Sequence, residues 1–351
     1  MLGVLHGRSR SPIALDINSW EVRAVQLTGD AGSHTLYRAG ILPRLRQPGV
    51  SDPIGRDEVE SLVAMLRRRG FEGDRVVIAA PPAACASQVL TLPDRESGAP
   101  IETIARAEIA RARRDGMSGF ELAAWYLPPR GRTEQGMTVA CDHAGLCARL
   151  DVFEQAGLET VAVDLEETAL QRACDPPTGE PEADGAIDAV LNIGWDVSLG
   201  ALTLGGVVVY TRRIAFGVAD LIRKLAERTG IDVSDAGRLL SDAERLDPSI
   251  GTMHAATQSG WTRLAHALAS EIDTSVTYVS HAYRQAPIGK VTLAGFGANC
   301  PAIREILDEV LGMPVRAYGS GPEGPGVLRG CSPADRGRLA TAYGLARRFD
   351  A

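Results

Sequence analysis

The sequence predicts an α/β protein of two similar halves facing each other across a cleft, with a small α/β insert in the first half. Two observations carry this. A strand–turn–strand pattern occurs twice, once over Ile13–Leu27 and again over Ala189–Leu202. Each copy reads as an apolar strand, a polar residue (Asp16, Asn192), a tight turn and a second strand. Apolar strands also alternate along the chain with stretches of helical period, the pattern of α/β proteins. The 351 residues suffice for two domains with their own cores.

The elements follow in order. Residues 1–11 are rich in Arg, Ser and Gly and read as loose. Strands are predicted over 13–27 and 34–42, and a helix over 57–70 from the spacing of Val59, Leu62, Val63 and Leu66. A buried strand at 75–80 stops at Pro81-Pro82. The segment 85–157 then has its own pattern: strand 87–92, an Ala- and Arg-rich helix 101–114, strands 122–127 and 137–141, and helical period over 144–156. A strand at 161–165 runs into a helix at 166–173, and 175–185 is a linker by composition. The second half opens with strands 187–194, 197–204 and 206–214, then helices 217–229 and 260–284. A buried strand 290–294, the turn Gly295-Phe296-Gly297, a helix 301–312 and a terminal helix 335–348 complete the chain. The predicted domains are 12–84 with 158–185, the insert 85–157, 186–220 with 285–351, and a helical subdomain 221–284.

Composition excludes several functions. The formal charge of −7 argues against a nucleic-acid binder. The six cysteines are scattered without a CxxC pair and read as buried thiols of a reducing compartment, neither a metal site nor a disulfide frame. No apolar run reaches membrane-spanning length and no signal-peptide core precedes the first strand, so a cytoplasmic location is expected, with no direct membrane insertion. Only two basic residues are lysine, Lys224 and Lys290.

The order of motifs resembles the actin-like (ribonuclease H-like) ATPase superfamily and, within it, the PilM family of type IV pilus assembly proteins. The resemblance covers nearly the whole chain. It rests on Ala14-Leu-Asp-Ile-Asn-Ser-Trp-Glu-Val-Arg23, Thr91-Leu-Pro93 before the Arg-rich helix, and Ala156–Glu166 with Ala169–Ala173. Phe216-Gly217, Gly230–Ala236, Leu293–Ala298, Gly312–Val315 and Ala340–Ala346 continue it. It implies ATP or ADP with Mg²⁺ between the two hairpins, and an insert that captures the N-terminal cytoplasmic tail of a PilN-like bitopic membrane protein. That partner would hold the chain at the inner membrane, and self-association is a further expectation of the fold. Two other classes stay open: a kinase or ATPase enzyme of the superfamily, with Asp196 as the nearest candidate base, and an FtsA-like filament protein or GspL-like secretion scaffold. The chain stops at Arg347–Ala351 without the amphipathic helix that FtsA-like membrane targeting calls for.

Under that resemblance the nucleotide-binding candidates are Asp16, Asn18, Ser19, Arg23, Asn192, Gly194, Gly217, Gly295 and Gly297. Asp16 is also the candidate Mg²⁺ ligand, a carboxylate being the donor that a hard cation prefers. Arg23 stands where the family usually carries lysine, and Asn192 where it usually carries Asp. Asn18 stands where Gly is expected and is read as a turn residue tolerating positive φ. The chain has only three asparagines, Asn18, Asn192 and Asn299, all in the suspected nucleotide loops. Glu166, at a strand-to-helix turn, is the candidate for positioning water, against the alternative of an acid favoured by the helix dipole. Gly237 offers no side chain near the expected ribose position. Asn18, Asn192 and Gly237 together predict that ATP turnover is weak or absent and the nucleotide site weakened or lost. In the insert, Arg106, Arg111, Arg113 and Arg114 are candidates to face an acidic partner, against the alternative of a solvated helix face.

Overall fold

The computed structural model describes residues 10–29, 34–44, 54–112, 119–130, 133–174, 185–233, 235–236, 251–284, 286–320 and 326–350. The linker at 175–184, Gly237, Arg113 and Arg114 lie outside them. The first half begins with strands β1 (Ile13–Ile17), β2 (Glu21–Thr28) and β3 (Thr35–Pro43), helix α1 (Arg56–Arg68) and strand β4 (Arg75–Ala79). Strand β5 (Cys85–Thr91), helix α2 (Ile101–Ala112) and strands β6 (Phe120–Tyr126) and β7 (Gln135–Asp142) follow as the insert. Helix α3 (His143–Gln155), strand β8 (Glu159–Asp164) and helix α4 (Glu166–Cys174) bring the chain back. The second half holds β9 (Ile187–Ile193), β10 (Ser198–Leu204), β11 (Val207–Ile214), α5 (Val218–Thr229) and α6 (Gly251–Ala282). It ends with β12 (Ile288–Gly295), α7 (Pro301–Leu311), β13 (Val315–Ala317), α8 (Pro333–Arg338) and α9 (Ala340–Ala346).

The two halves repeat one topology. One sheet runs β3-β2-β1-β4-β8 and the other β11-β10-β9-β12-β13. In each, the opening three strands pair antiparallel as a meander, and the two later strands add in parallel beside the first. The duplicated strand–turn–strand pattern is therefore the duplicated centre of two sheets. The insert is a separate sheet ordered β5-β7-β6.

Burial organises these sheets into layers. On the outer face of the first sheet, α1 presents Val59, Leu62 and Leu66 to Leu15, Val22 and Ala24. Its acidic first turn (Asp57, Glu58) and basic last turn (Arg67, Arg68) match the helix dipole. Helix α3, grouped with the insert by sequence, buries Phe153 in this same core. The helices α4 and α9 fill the space between the sheets, with Ala14, Val25 and Val77 on one side and Val190, Leu199 and Ala294 on the other. The second sheet packs its remaining face against α5, α6 and α7.

Three expectations are corrected. The terminal helix breaks at Leu339 into α8 and α9, and all seven residues of α9 are buried between the sheets. It is thus wedged against the first half, whereas the sequence placed 285–351 wholly with the second. The reason is close packing: a Cβ on Gly344 would lie 1.7 Å from the carbonyl oxygen of Ala169 in α4. Second, the helix expected over 260–284 is the longer α6, Gly251–Ala282. Its Leu264, Leu268 and Ile272 share one core with Leu191 and Leu202 of the second sheet. Third, no described non-glycine residue has positive φ, so Asn18 does not replace glycine conformationally. Among the described residues no helix is long and apolar enough to cross a membrane.

Candidate functional site

The two hairpin turns meet at the centre of the molecule. In the first, Asn18 forms the turn through its side chain: Oδ1 accepts from the backbone N–H of Trp20 (2.8 Å) and of Glu21 (2.9 Å). That local bond is what asparagine offers a turn, and it leaves Asn18 ordinary backbone angles. Ser19 Oγ donates to Asp196 Oδ2 on the second turn. Trp20 stacks on Trp195 with ring centroids 4.0 Å apart and planes 15° from parallel. Trp195 in turn meets Phe296 at 5.5 Å. Two of these contacts, Ser19–Asp196 and Trp20–Trp195, join loops from the two halves.

Beneath the turns lies a buried charge network. Asp16 and Arg23 are cross-strand partners on β1 and β2, and Arg23 Nη1 donates to Asp16 Oδ2 at 3.0 Å. Arg23 Nε donates to Glu21 Oε1 at 2.7 Å. Glu21 also accepts both Arg338 Nη2 and, at 3.2 Å, Arg338 Nε. Both guanidinium groups approach the Phe296 ring, Arg23 at 5.0 Å and Arg338 at 4.9 Å from its centroid. Glu21 and Arg23 are each 2% exposed. Burial raises the Asp16 carboxyl to about 6, the Arg23 charge working against that shift, and the nearby Glu166 and Glu21 adding to it. One atom in the network is unsatisfied: Arg23 Nη2 is buried without a hydrogen-bond partner.

The remaining candidates surround this centre. Glu166 begins α4; its Oε1 accepts from Asn192 Nδ2 at 2.8 Å, and its Oε2 faces Arg213 at 3.5 Å. Asn192 and Glu166 therefore tie the second hairpin to the first half. The glycines serve backbone packing. A Cβ on Gly194 would meet Val197 O at 1.9 Å, one on Gly217 would meet Trp195 O at 2.2 Å, and one on Gly295 (φ +80°) would meet Ile193 O at 2.2 Å. On Gly297 it would run into Trp261. The first free amides of α5, a natural place for a phosphate, donate instead to Gly194 O (3.1 Å from Val218) and Trp195 O (2.8 Å from Ala219).

Do these residues fit Mg²⁺ and a nucleoside triphosphate? The carboxylate offered to the metal is paired with Arg23, and no cluster of three or more metal-ligating side chains exists among the described residues. Ser19, Asn18 and Asn192 spend their polar groups on the protein, and the helix amides are taken. The tryptophan stack fills the space between the turns, where the resemblance would put the phosphates. In this arrangement the residues do not fit the group; among the described residues, Arg23 Nη2 and the nearby Arg149 Nε are buried donors left over.

The sequence placed Asp16, Arg23, Ser19, Asn192 and Glu166 at one site, and the structure does bring them together. It missed Glu21 and Arg338, which lie 317 positions apart. Charged residues at alternate positions of an otherwise apolar strand, Glu21 and Arg23, were a readable sign; nothing local marks Arg338. In the insert, Arg106 is held within its own subdomain, donating to Phe120 O at 2.6 Å, and Arg111 pairs with Glu108.

Two ribonuclease H-like halves closing on paired hairpins define an actin-like protein. Residues 14–348 match the family model for the type IV pilus assembly protein PilM, and the chain belongs to that family. Among solved structures, the PilM–PilN type IV pilus biogenesis complex is similar over 98% of this chain and 100% of that one, with 18% identity and a TM-score of 0.77. The ethanolamine utilization protein EutJ from Carboxydothermus hydrogenoformans matches 97% of this chain and 90% of its own at 17% identity, TM-score 0.54. The archaeal actin homolog Ta0583 matches 96% and 98% at 13% identity, TM-score 0.47.

Proposed function

We propose that this chain is a cytoplasmic scaffold of a type IV pilus-type machine, peripheral at the inner membrane, that docks the N-terminal cytoplasmic tail of a PilN-like bitopic partner while its own side chains hold the cleft shut. The carrying observation is the stapling of the hairpin turns by Trp20–Trp195 and Ser19–Asp196. Such a molecule presents a fixed platform, with ATP turnover weak or absent. Tail docking draws support from a relative solved in complex with PilN and from the insert, where β5 is an edge strand with Val89 47% exposed. An edge strand accepts an extended peptide through its outward-facing backbone groups.

A second reading rests on Arg23 Nη2, a buried donor without a partner. In it the hairpins part to admit ATP or ADP. Calorimetric titration of the full chain separates the two. Binding of a PilN-like tail peptide with equal affinity in the presence and absence of Mg-ATP, and no heat from Mg-ATP alone, supports the closed scaffold. Micromolar Mg-ATP binding overturns it in favour of the second reading, and absence of peptide binding removes the docking role.

A further inference from the structure

The insert leaves the first half after Ala84 and returns at Asp142, and a cysteine stands at each of these points. Cys85 opens β5, Cys141 nearly closes β7, and the two are direct cross-strand partners in an antiparallel ladder. Which kind of pair they form follows from a hydrogen bond further along the same ladder. Leu92 N–H donates to Glu134 O at 3.0 Å, which makes that pair hydrogen-bonded. Hydrogen-bonded and non-bonded pairs alternate along antiparallel strands. Counting back from Leu92 with no register shift, Cys85–Cys141 falls on a non-bonded pair. The other edge of β7 agrees: Leu127 N–H donates to Gln135 O and His143 N–H to Gly119 O, so the odd-numbered residues of β7 bond toward β6.

Opposite residues of a non-bonded pair have Cα atoms about 4.5 Å apart and side chains on the same face. A disulfide spans Cα separations of about 4.4–6.8 Å. The backbone therefore already holds the two sulfurs within bonding reach of each other. The thiols also interact: hydrogen bonding to Cys141 holds Cys85 as the protonated partner, and the same bond draws the Cys141 thiol down. Access exists as well. Cys85 lines a cavity of about 250 Å³ between the insert and β11, together with Ser87, Val139, Glu167, Tyr210 and Arg213. Cys141 lies just behind it, 6% exposed, against Ala80 and Leu146.

We propose that Cys85 and Cys141 are a modification site: hydrogen peroxide entering this cavity converts them to a reversible disulfide that closes the insert at its base. One thiolate attacks a peroxide oxygen, the O–O bond breaks, and hydroxide leaves as water after taking a proton. The second sulfur then attacks the resulting sulfenic sulfur, the S–O bond breaks, and a second water leaves. Both sulfurs are oxidised and the peroxide is reduced. A dithiol reverses the bond by exchange. The inference is independent of what the central cleft binds.

The test uses the full chain treated with hydrogen peroxide, quenched by alkylation and digested without reduction. A Cys85–Cys141 linked peptide should be the main oxidation product of these two thiols, since the resolving thiol beside the attacked sulfur intercepts its sulfenic acid before a second peroxide can. Dithiothreitol should restore both thiols. In Cys85→Ser, Cys141 should stop at a sulfenic acid that dimedone traps. Two outcomes overturn the proposal: both thiols remaining free at peroxide doses that oxidise Cys147, or each proceeding separately to sulfinic acid. The linked peptide is read in the wild-type chain, so a variant that fails to fold leaves the test intact.

Discussion

A carboxylate expected to hold Mg²⁺ is, in this molecule, half of a buried ion pair whose balance depends on pH. Asp16 titrates at about 6 when folded against 3.8 for the free side chain, chiefly through burial. The folded state therefore binds the proton more tightly, and stability attributable to Asp16 falls as pH rises from about 4 to about 6, by about 3 kcal/mol. Asp16→Asn should remove that slope and leave the chain at least as stable as wild type at pH 7. Glu167 and Asp196, both pushed upward by burial, remain in both proteins. The difference between urea unfolding curves across this range isolates Asp16, and a slope retained in Asp16→Asn would sink the assignment. Glu21 carries the opposite expectation. It is the shared acceptor for Arg23 and Arg338 at 2% exposure. Glu21→Ala leaves Arg23 with Asp16 alone and takes both close acceptors from the buried Arg338, and should cost about 3–5 kcal/mol, as breaking a buried pair does. Glu21→Gln keeps an acceptor and should cost less; a loss under about 1 kcal/mol in Glu21→Ala would show that water reaches both arginines.

At the scale of elements, close approach between α4 and α9 is the most exposed claim. Gly344→Ala places a methyl group against the backbone of Ala169, 1.7 Å from its oxygen, where no side chain can yield. It should cost at least about 1–3 kcal/mol, as overpacking does. Gly330→Ala, with nothing near its Cβ, should stay within about 0.5 kcal/mol. Equal melting temperatures for the two would mean that α9 shifts freely. This helix also shows where sequence reading ran out. Helices such as α1 were legible because one face is apolar and the other polar. Helix α9 is buried on every side and has no such contrast, so its break from α8 at Leu339 and its place between the sheets were invisible. The strands were legible because each hairpin carries its own turn chemistry, and the insert because its strands restart after Pro81-Pro82. The central site was half legible. Asp16, Ser19, Arg23, Asn192 and Asp196 lie on the hairpins themselves and Glu166 at a strand-to-helix turn, whereas Arg338, which holds Glu21, comes from a distant segment that only the fold brings near.

At the scale of the whole molecule, the question is whether two halves built around a cleft can open it. The contacts joining the turns are few and named. An offset aromatic stack contributes about 0.5–1.5 kcal/mol beyond its area, and a hydrogen bond to a charged group about 1.5–3 kcal/mol. Together they favour the closed arrangement by about 2–4 kcal/mol, which lowers the apparent affinity of any ligand needing the open one by about 30- to 1000-fold. Trp20→Ala removes the stack from the first turn and leaves the network of Asp16, Arg23, Glu21 and Arg338 in place. If the halves are pinned by these turns, Mg-ATP should bind Trp20→Ala about 2- to 10-fold more tightly than wild type, because closure competes less. Binding of the PilN-like tail peptide to β5 should be unaltered, since β5 is the insert's edge strand and none of its residues belongs to the core that holds Trp20 and Trp195. Wild-type affinity for Mg-ATP that equals or exceeds that of Trp20→Ala would reverse the argument: the indoles would then be a nucleotide platform, and the open cleft the resting state of the protein.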